Sequence, residues 1–96
     1  MGRLSELRLR RTELLEIAAR HNARGLSIFG SVARNEDGAK SDVDFLVIDD
    51  SAMDLLDLGG LHEDLQSSLS CKVDVVTLGA LKGRQREAIE REAIVL

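Results

Sequence analysis

The chain has 96 residues, 44% of them hydrophobic and 31% charged, a balance expected of one soluble globular domain and not of a disordered chain. Its net charge of −4 divides unevenly: residues 1–40 carry eight Lys/Arg against five Asp/Glu, and residues 41–96 carry five against twelve. With no Trp or Tyr and only Phe29 and Phe45, no aromatic platform is available to stack single-stranded bases, and the acidic balance argues against direct nucleic-acid binding.

Size sets a single domain over residues 1–96, since such a chain buries only roughly 65% of its unfolded surface and supports one core. The lone Cys71 rules out an internal disulfide and suits a reducing compartment. The N-terminus has no apolar signal-peptide run, Glu6 breaks a myristoylation pattern, and no segment approaches membrane-spanning length, so a cytoplasmic location is expected.

Taken in order, Leu4, Leu7, Leu14, Leu15, Ile17 and Ala18 form one apolar stripe that predicts a helix over 3–22, with Gly25 as its stop signal. "LSIF" (26–29) reads as a strand, and "GSVAR" (30–34) turns off it into a short helical turn. A polar loop with Gly38 as breaker follows. "DVDFLVID" (42–49) is β-branched and aromatic, and apolar on both faces after Asp44, as a central strand should be. Ser51 is placed to cap a helix over 52–69 whose Leu55, Leu58, Leu61, Leu65 and Leu69 recur at helical spacing as core positions. "KVDVVTL" (72–78) is a second buried strand, 81–92 a charged helix, and "AIVL" (93–96) a short edge strand. The alternation predicts an α/β (α+β) fold, a small sheet flanked by helices, without fixing the strand order.

Two features carry chemistry. Residues two apart on a strand share a face, so Asp42 and Asp44 point together, and Asp74 joins them if the two buried strands are neighbours. Such carboxylates repel one another unless a cation lies between them, and an oxygen-only donor set suits Mg²⁺ or Mn²⁺. Upstream, Gly30 permits a sharp turn and close approach to a ligand. Ser31 offers a hydroxyl and an amide at the start of a helical turn, and Arg34, one turn on, adds a cation suited to phosphate. Asp49, Asp50, Asp54, Asp57, Glu63 and Asp64 read as a solvated acidic face, and His21 and His62 as structural or solvated. Cys71 reads as inert. Arg34 has a competing reading as a surface partner of Glu36 or Asp37, and Lys72, on the face of Asp74, one as a surface ion pair.

In order and spacing, Gly30, Ser31, Ala33, Arg34, Ser41, Asp42, Asp44 and Asp74 resemble the signature of minimal nucleotidyltransferases of the DNA polymerase β-like superfamily, and the likeness extends over nearly the whole chain. Asn35 stands where many members carry Gly. The resemblance implies the polymerase β-like palm fold, a small mixed sheet flanked by helices. It also implies two Mg²⁺ ions (or Mn²⁺) on Asp42, Asp44 and Asp74, ATP as substrate with its terminal phosphates on Gly30, Ser31 and Arg34, and in-line transfer of AMP to a hydroxyl. Minimal members pair with a HEPN-type ribonuclease toxin and silence it as antitoxins by modifying a tyrosine, while larger relatives dimerise or add a helical domain to finish the pocket. The same resemblance leaves open a small-molecule acceptor such as an aminoglycoside, and a degenerate module that neutralises its partner by occlusion.

Overall fold

A computed structural model describes residues 2–38 and 42–96. The first amphipathic stripe folds as two helices, α1 (Arg3–Leu9) and α2 (Arg11–Arg20), where periodicity alone predicts one. The break falls at Arg10, which leaves helical geometry at φ −97° and ψ 15°. Its guanidinium donates to the Ser68 carbonyl at 2.9 Å and to the Ser68 hydroxyl at 2.6 Å, and also pairs with Glu13. The bend is thereby tied to a helix far along the chain. Helix α2 stops before Gly25: Asn22 takes the left-handed conformation (φ +61°), and the Ala23 amide reaches back to the Ala18 carbonyl at 3.0 Å. Gly25 instead lies inside strand β1 (Arg24–Phe29).

A four-residue helical turn, α3 (Gly30–Ala33), leads from β1 towards β2 (Val43–Asp49). Helix α4 (Leu55–Leu69) then crosses to β3 (Val73–Thr77), and after a single 3-10 turn α5 (Gly83–Glu92) returns the chain to the two-residue strand β4 (Ile94–Val95). The sheet order is β3-β2-β1-β4; β2 and β3 run parallel, and β1 is antiparallel to both β2 and β4. The parallel pair needs the α4 crossover, as parallel neighbours do. The result is the mixed α/β architecture that the alternation of elements predicts.

Alternation along the strands sorts the two faces. Leu26, Ile28, Val43, Phe45, Val47 and Val73 are buried and pack with Leu7, Leu14, Ile17, Leu61, Leu65 and Leu69 in one core. The other face carries Asp44, Leu46 and Ile48 along β2, and Asp74 on β3.

Two expectations about α4 are corrected. Asp54, not Ser51, is the cap: its carboxylate accepts from the Asp57 amide at 2.8 Å, while the Asp57 carboxylate accepts from the Asp54 amide at 3.1 Å. This reciprocal pair satisfies amides that the first helical turn leaves open, whereas the Ser51 amide is turned to Asp49 Oδ1 at 3.0 Å. The helix therefore starts three residues later than expected, and Leu55 lies outside the core at 87% exposure, beside Leu56 at 86%. Leu58 is half-buried, and Leu61, Leu65 and Leu69 are the true core positions. No helix among the described residues is long and apolar enough to cross a membrane.

Candidate active site

The register of the parallel pair decides what the acidic residues can do. Asp44 and Asp74 are direct partners across β2 and β3, so their Cα atoms lie about 4.8 Å apart in the sheet and their side chains leave the same face. Asp42 sits just before β2, two residues from Asp44. Asp44 is half-buried, and its carboxyl is held above its ordinary pKa, first by burial and then by the negative charges of Asp74, Asp42 and Glu92, with Arg34 opposing. Like charges gathered at a partly desolvated spot have that effect.

Among the described residues, no three carboxylate, imidazole or thiol side chains are drawn together tightly enough to hold a metal ion as they stand. Burial first, and then the neighbouring negative charges, hold the Asp44 carboxyl above its ordinary pKa. The donor set nonetheless fits a hard divalent cation: it is all oxygen, and Asp44 and Asp74 come from adjoining strands in register.

The turn that precedes this cluster is built against it. Gly30 has φ +75°, and a Cβ placed there would lie 2.1 Å from Asp44 Oδ2, so the glycine is needed both for its conformation and for the room it leaves to the carboxylate. Ser31 follows on the first turn of α3, with its carbonyl accepting from the Glu36 amide at 2.8 Å. Arg34 closes that turn through its amide bond to the Gly30 carbonyl at 3.1 Å. Asn35 occupies a left-handed position, φ +61°. Asn tolerates that region better than most residues, which accounts for its standing where Gly is frequent. Ser41 lies outside the described residues.

The surface-pair reading of Arg34 holds for Glu36. Its Nε donates to Glu36 Oε2 at 2.9 Å, as a surface pair would, and its Nη1 donates to Glu92 Oε2 at 2.9 Å. Glu92, which sequence reasoning passed over as one charge in a charged helix, also accepts the Gly30 amide on Oε1 at 2.9 Å. The Gly30 bond and then Arg34 hold its pKa below the ordinary value. No sequence signal marks it: Glu92 lies two residues before Ile94, which pairs with Ile28 on the strand that leads into Gly30.

The two histidines have structural partners. His21 Nε2 lies 2.7 Å from Asp64 Oδ2, and His62 Nε2 lies 2.9 Å from the Val73 carbonyl. Along the face of Asp44, Leu46 and Ile48 line a shallow recess with Ser27, Leu78 and Val95. A larger depression, lined by Arg11, Leu15, Asn22, Arg24 and Leu96 among others, shares no residue with the acidic site.

Comparison with known proteins gives a consistent picture. Residues 11–96 match a family described as the nucleotidyltransferase domain. A Methanocaldococcus jannaschii protein, provisionally named a protein adenylyltransferase, is 37% identical over 85% of this chain and 88% of its own length. The protein adenylyltransferase MntA of Thermococcus cleftensis is 34% identical over 82% of this chain and 80% of its own. Among solved structures, one provisionally titled a minimal nucleotidyltransferase superposes with a TM-score of 0.83 at 41% identity, covering 100% of this chain and 97% of the other. A toxin–antitoxin structure with AMP-PNP shares the fold at a TM-score of 0.63 and 22% identity, covering 74% of this chain and 59% of the other.

Proposed function

Because the chain belongs to the nucleotidyltransferase domain family, we propose that it transfers AMP from ATP to a tyrosine hydroxyl of a HEPN-type ribonuclease toxin, acting as the antitoxin of that partner. The observation that carries this reading is the in-register pair Asp44–Asp74 lying beside the Gly30–Ser31 turn. Carboxylates next to a glycine-led turn that carries a serine hydroxyl and a guanidinium are the equipment for moving a nucleotidyl group. The names of the relatives support protein as the acceptor class. The fold neighbour with AMP-PNP, a toxin–antitoxin structure, supports the pairing with a toxin.

In this reading the acceptor hydroxyl oxygen attacks the α-phosphorus in line. Its bond to phosphorus forms as the bond from the α-phosphorus to the bridging oxygen breaks, and pyrophosphate leaves. Ser31 and Arg34 hold the terminal phosphates and orient the departing group, on the turn that Gly30 shapes. Asp74 helps to draw the proton from the acceptor hydroxyl. Asp42, Asp44 and Asp74 would hold two Mg²⁺ ions, or Mn²⁺, which neutralise phosphate charge and stabilise the attacking and leaving oxygens. The recess behind Asp44 is too shallow to enclose an acceptor, so the partner itself completes the pocket.

The test is intact-mass spectrometry of a candidate HEPN-type ribonuclease incubated with this protein, ATP and Mg²⁺. Mass gains in units of AMP, lost with Asp42→Ala, are expected. An unmodified partner, or transfer by Asp42→Ala at the wild-type rate, would overturn the proposal.

A further inference from the structure

Glu92 binds two parts of the phosphate-binding turn at once, and it comes from the far end of the chain. Its two carboxylate oxygens divide the work: Oε1 accepts the Gly30 amide and Oε2 the Arg34 guanidinium, each at 2.9 Å. We propose that Glu92 is a positioning residue for nucleotide binding, fixing the Gly30 turn and the Arg34 guanidinium in the geometry that receives the terminal phosphates. The inference rests on the nucleotide site described above and assigns a determinant of substrate affinity to it.

Three observations converge. The turn is confined from one side by Asp44, which leaves no space for a Cβ at Gly30, and from the other by Glu92. Helix α5 ends at Glu92, two residues before Ile94, which pairs with Ile28 in β1, so a helix end anchored by strand pairing and not a flexible tail carries the carboxylate. Arg34 is exposed and long. Held by Glu36 on Nε and by Glu92 on Nη1, it keeps the rest of its five N–H donors in a fixed fork for a phosphate. Ordering such a side chain before the ligand arrives removes an entropic cost from binding.

A carboxylate on an anion-binding turn has a contrary reading, in which Glu92 stands in for phosphate and is displaced by it. The two readings predict opposite signs. Binding of Mg·ATP and of inorganic triphosphate should be measured by calorimetry for wild type, Glu92→Ala and Glu92→Gln, with KM and kcat for AMP transfer and with thermal unfolding to establish that each variant is folded. Positioning predicts nucleotide affinity about tenfold weaker in Glu92→Ala, a KM raised in parallel, and kcat within about threefold of wild type. Glu92→Gln, which keeps an acceptor for Gly30 but no charge for Arg34, should fall between, and it carries the test if Glu92→Ala does not fold. A purely structural role would lower the melting temperature and leave affinity unchanged at temperatures where the variants are folded. Unchanged or tighter binding in a folded variant overturns the inference while leaving the nucleotide site intact. Absence of nucleotide binding by folded wild type overturns both.

Discussion

Replacing Gly30 by alanine probes the joint between the turn and the acids. The added methyl would sit 2.1 Å from Asp44 Oδ2 and 3.1 Å from its Cγ, so the carboxylate must retreat by about 1 Å or more. Two costs add. A non-glycine residue at φ +75° loses about 1–2 kcal/mol, and forcing Asp44 from its rotamer loses about 0.5–1.5 kcal/mol. The expected destabilisation is about 2–3 kcal/mol, a fall in melting temperature of roughly 10–20 °C for a domain this size. Gly83 provides the control. It also has positive φ, +61°, but its Cβ would meet nothing within 4 Å, so Gly83→Ala bears only the conformational cost. The assay is thermal unfolding of Gly30→Ala, Asp44→Ala, the double variant and Gly83→Ala, with Mg·ATP binding measured on each folded protein. A coupling of about 1 kcal/mol between Gly30→Ala and Asp44→Ala is expected, because removing the carboxylate removes the collision. Gly30→Ala should lose nucleotide binding and Gly83→Ala keep it. Additive effects at positions 30 and 44, or full nucleotide binding by Gly30→Ala, would refute the reasoning.

Other outcomes follow from the same geometry. Since burial and neighbouring acids raise the pKa of Asp44, the folded chain binds its proton more readily than the unfolded chain. Its contribution to stability therefore declines as pH rises from the ordinary carboxylate value through the raised one. Without divalent cations, Asp44→Asn should be more stable than wild type at neutral pH, with an advantage that shrinks on acidification; thermal unfolding across pH 3–7 checks it, and a pH-independent difference would contradict it. Mg²⁺ should raise the melting temperature of wild type and not that of Asp44→Asn, as differential scanning calorimetry would show. Asp54→Ala should cost about 1 kcal/mol through loss of the α4 cap, whereas Ser51→Ala should stay within about 0.5 kcal/mol. Denaturant unfolding of the two variants distinguishes them.

The parts of the site that lie close in sequence were legible there. Alternation sets Asp42 and Asp44 on one face of an expected strand over 42–49, although β2 begins at Val43 and Asp42 lies just before it, and Gly30-Ser31 between a strand and a helical turn marks a backbone approach. What joins them was not. The pairing of Asp44 with Asp74 depends on β2 and β3 being parallel neighbours, a choice made by the α4 crossover and its burial of Leu61, Leu65 and Leu69, not by any local residue. Glu92 bonds to a residue 62 positions earlier, and within "GRQREAIERE" nothing sets it apart from other surface acids. The boundaries that went astray share a cause. Ser51 is a good cap by type, but an Asp with a second acid three residues on satisfies two amides at once and moves the start of α4. Nothing in the leucine and alanine stripe of residues 4–18 announces a break at Arg10, because its reason is a tertiary bond to Ser68.

Anomalous diffraction from crystals grown with Mn²⁺ and a non-hydrolysable ATP analogue locates the metal and the nucleotide together. Mn²⁺ peaks about 2.1 Å from carboxylate oxygens of Asp42, Asp44 and Asp74 are expected, with the terminal phosphates resting on Ser31 and Arg34. Mn²⁺ bound away from the β2–β3 edge, or a nucleotide seated elsewhere on the protein, would contradict the proposed site.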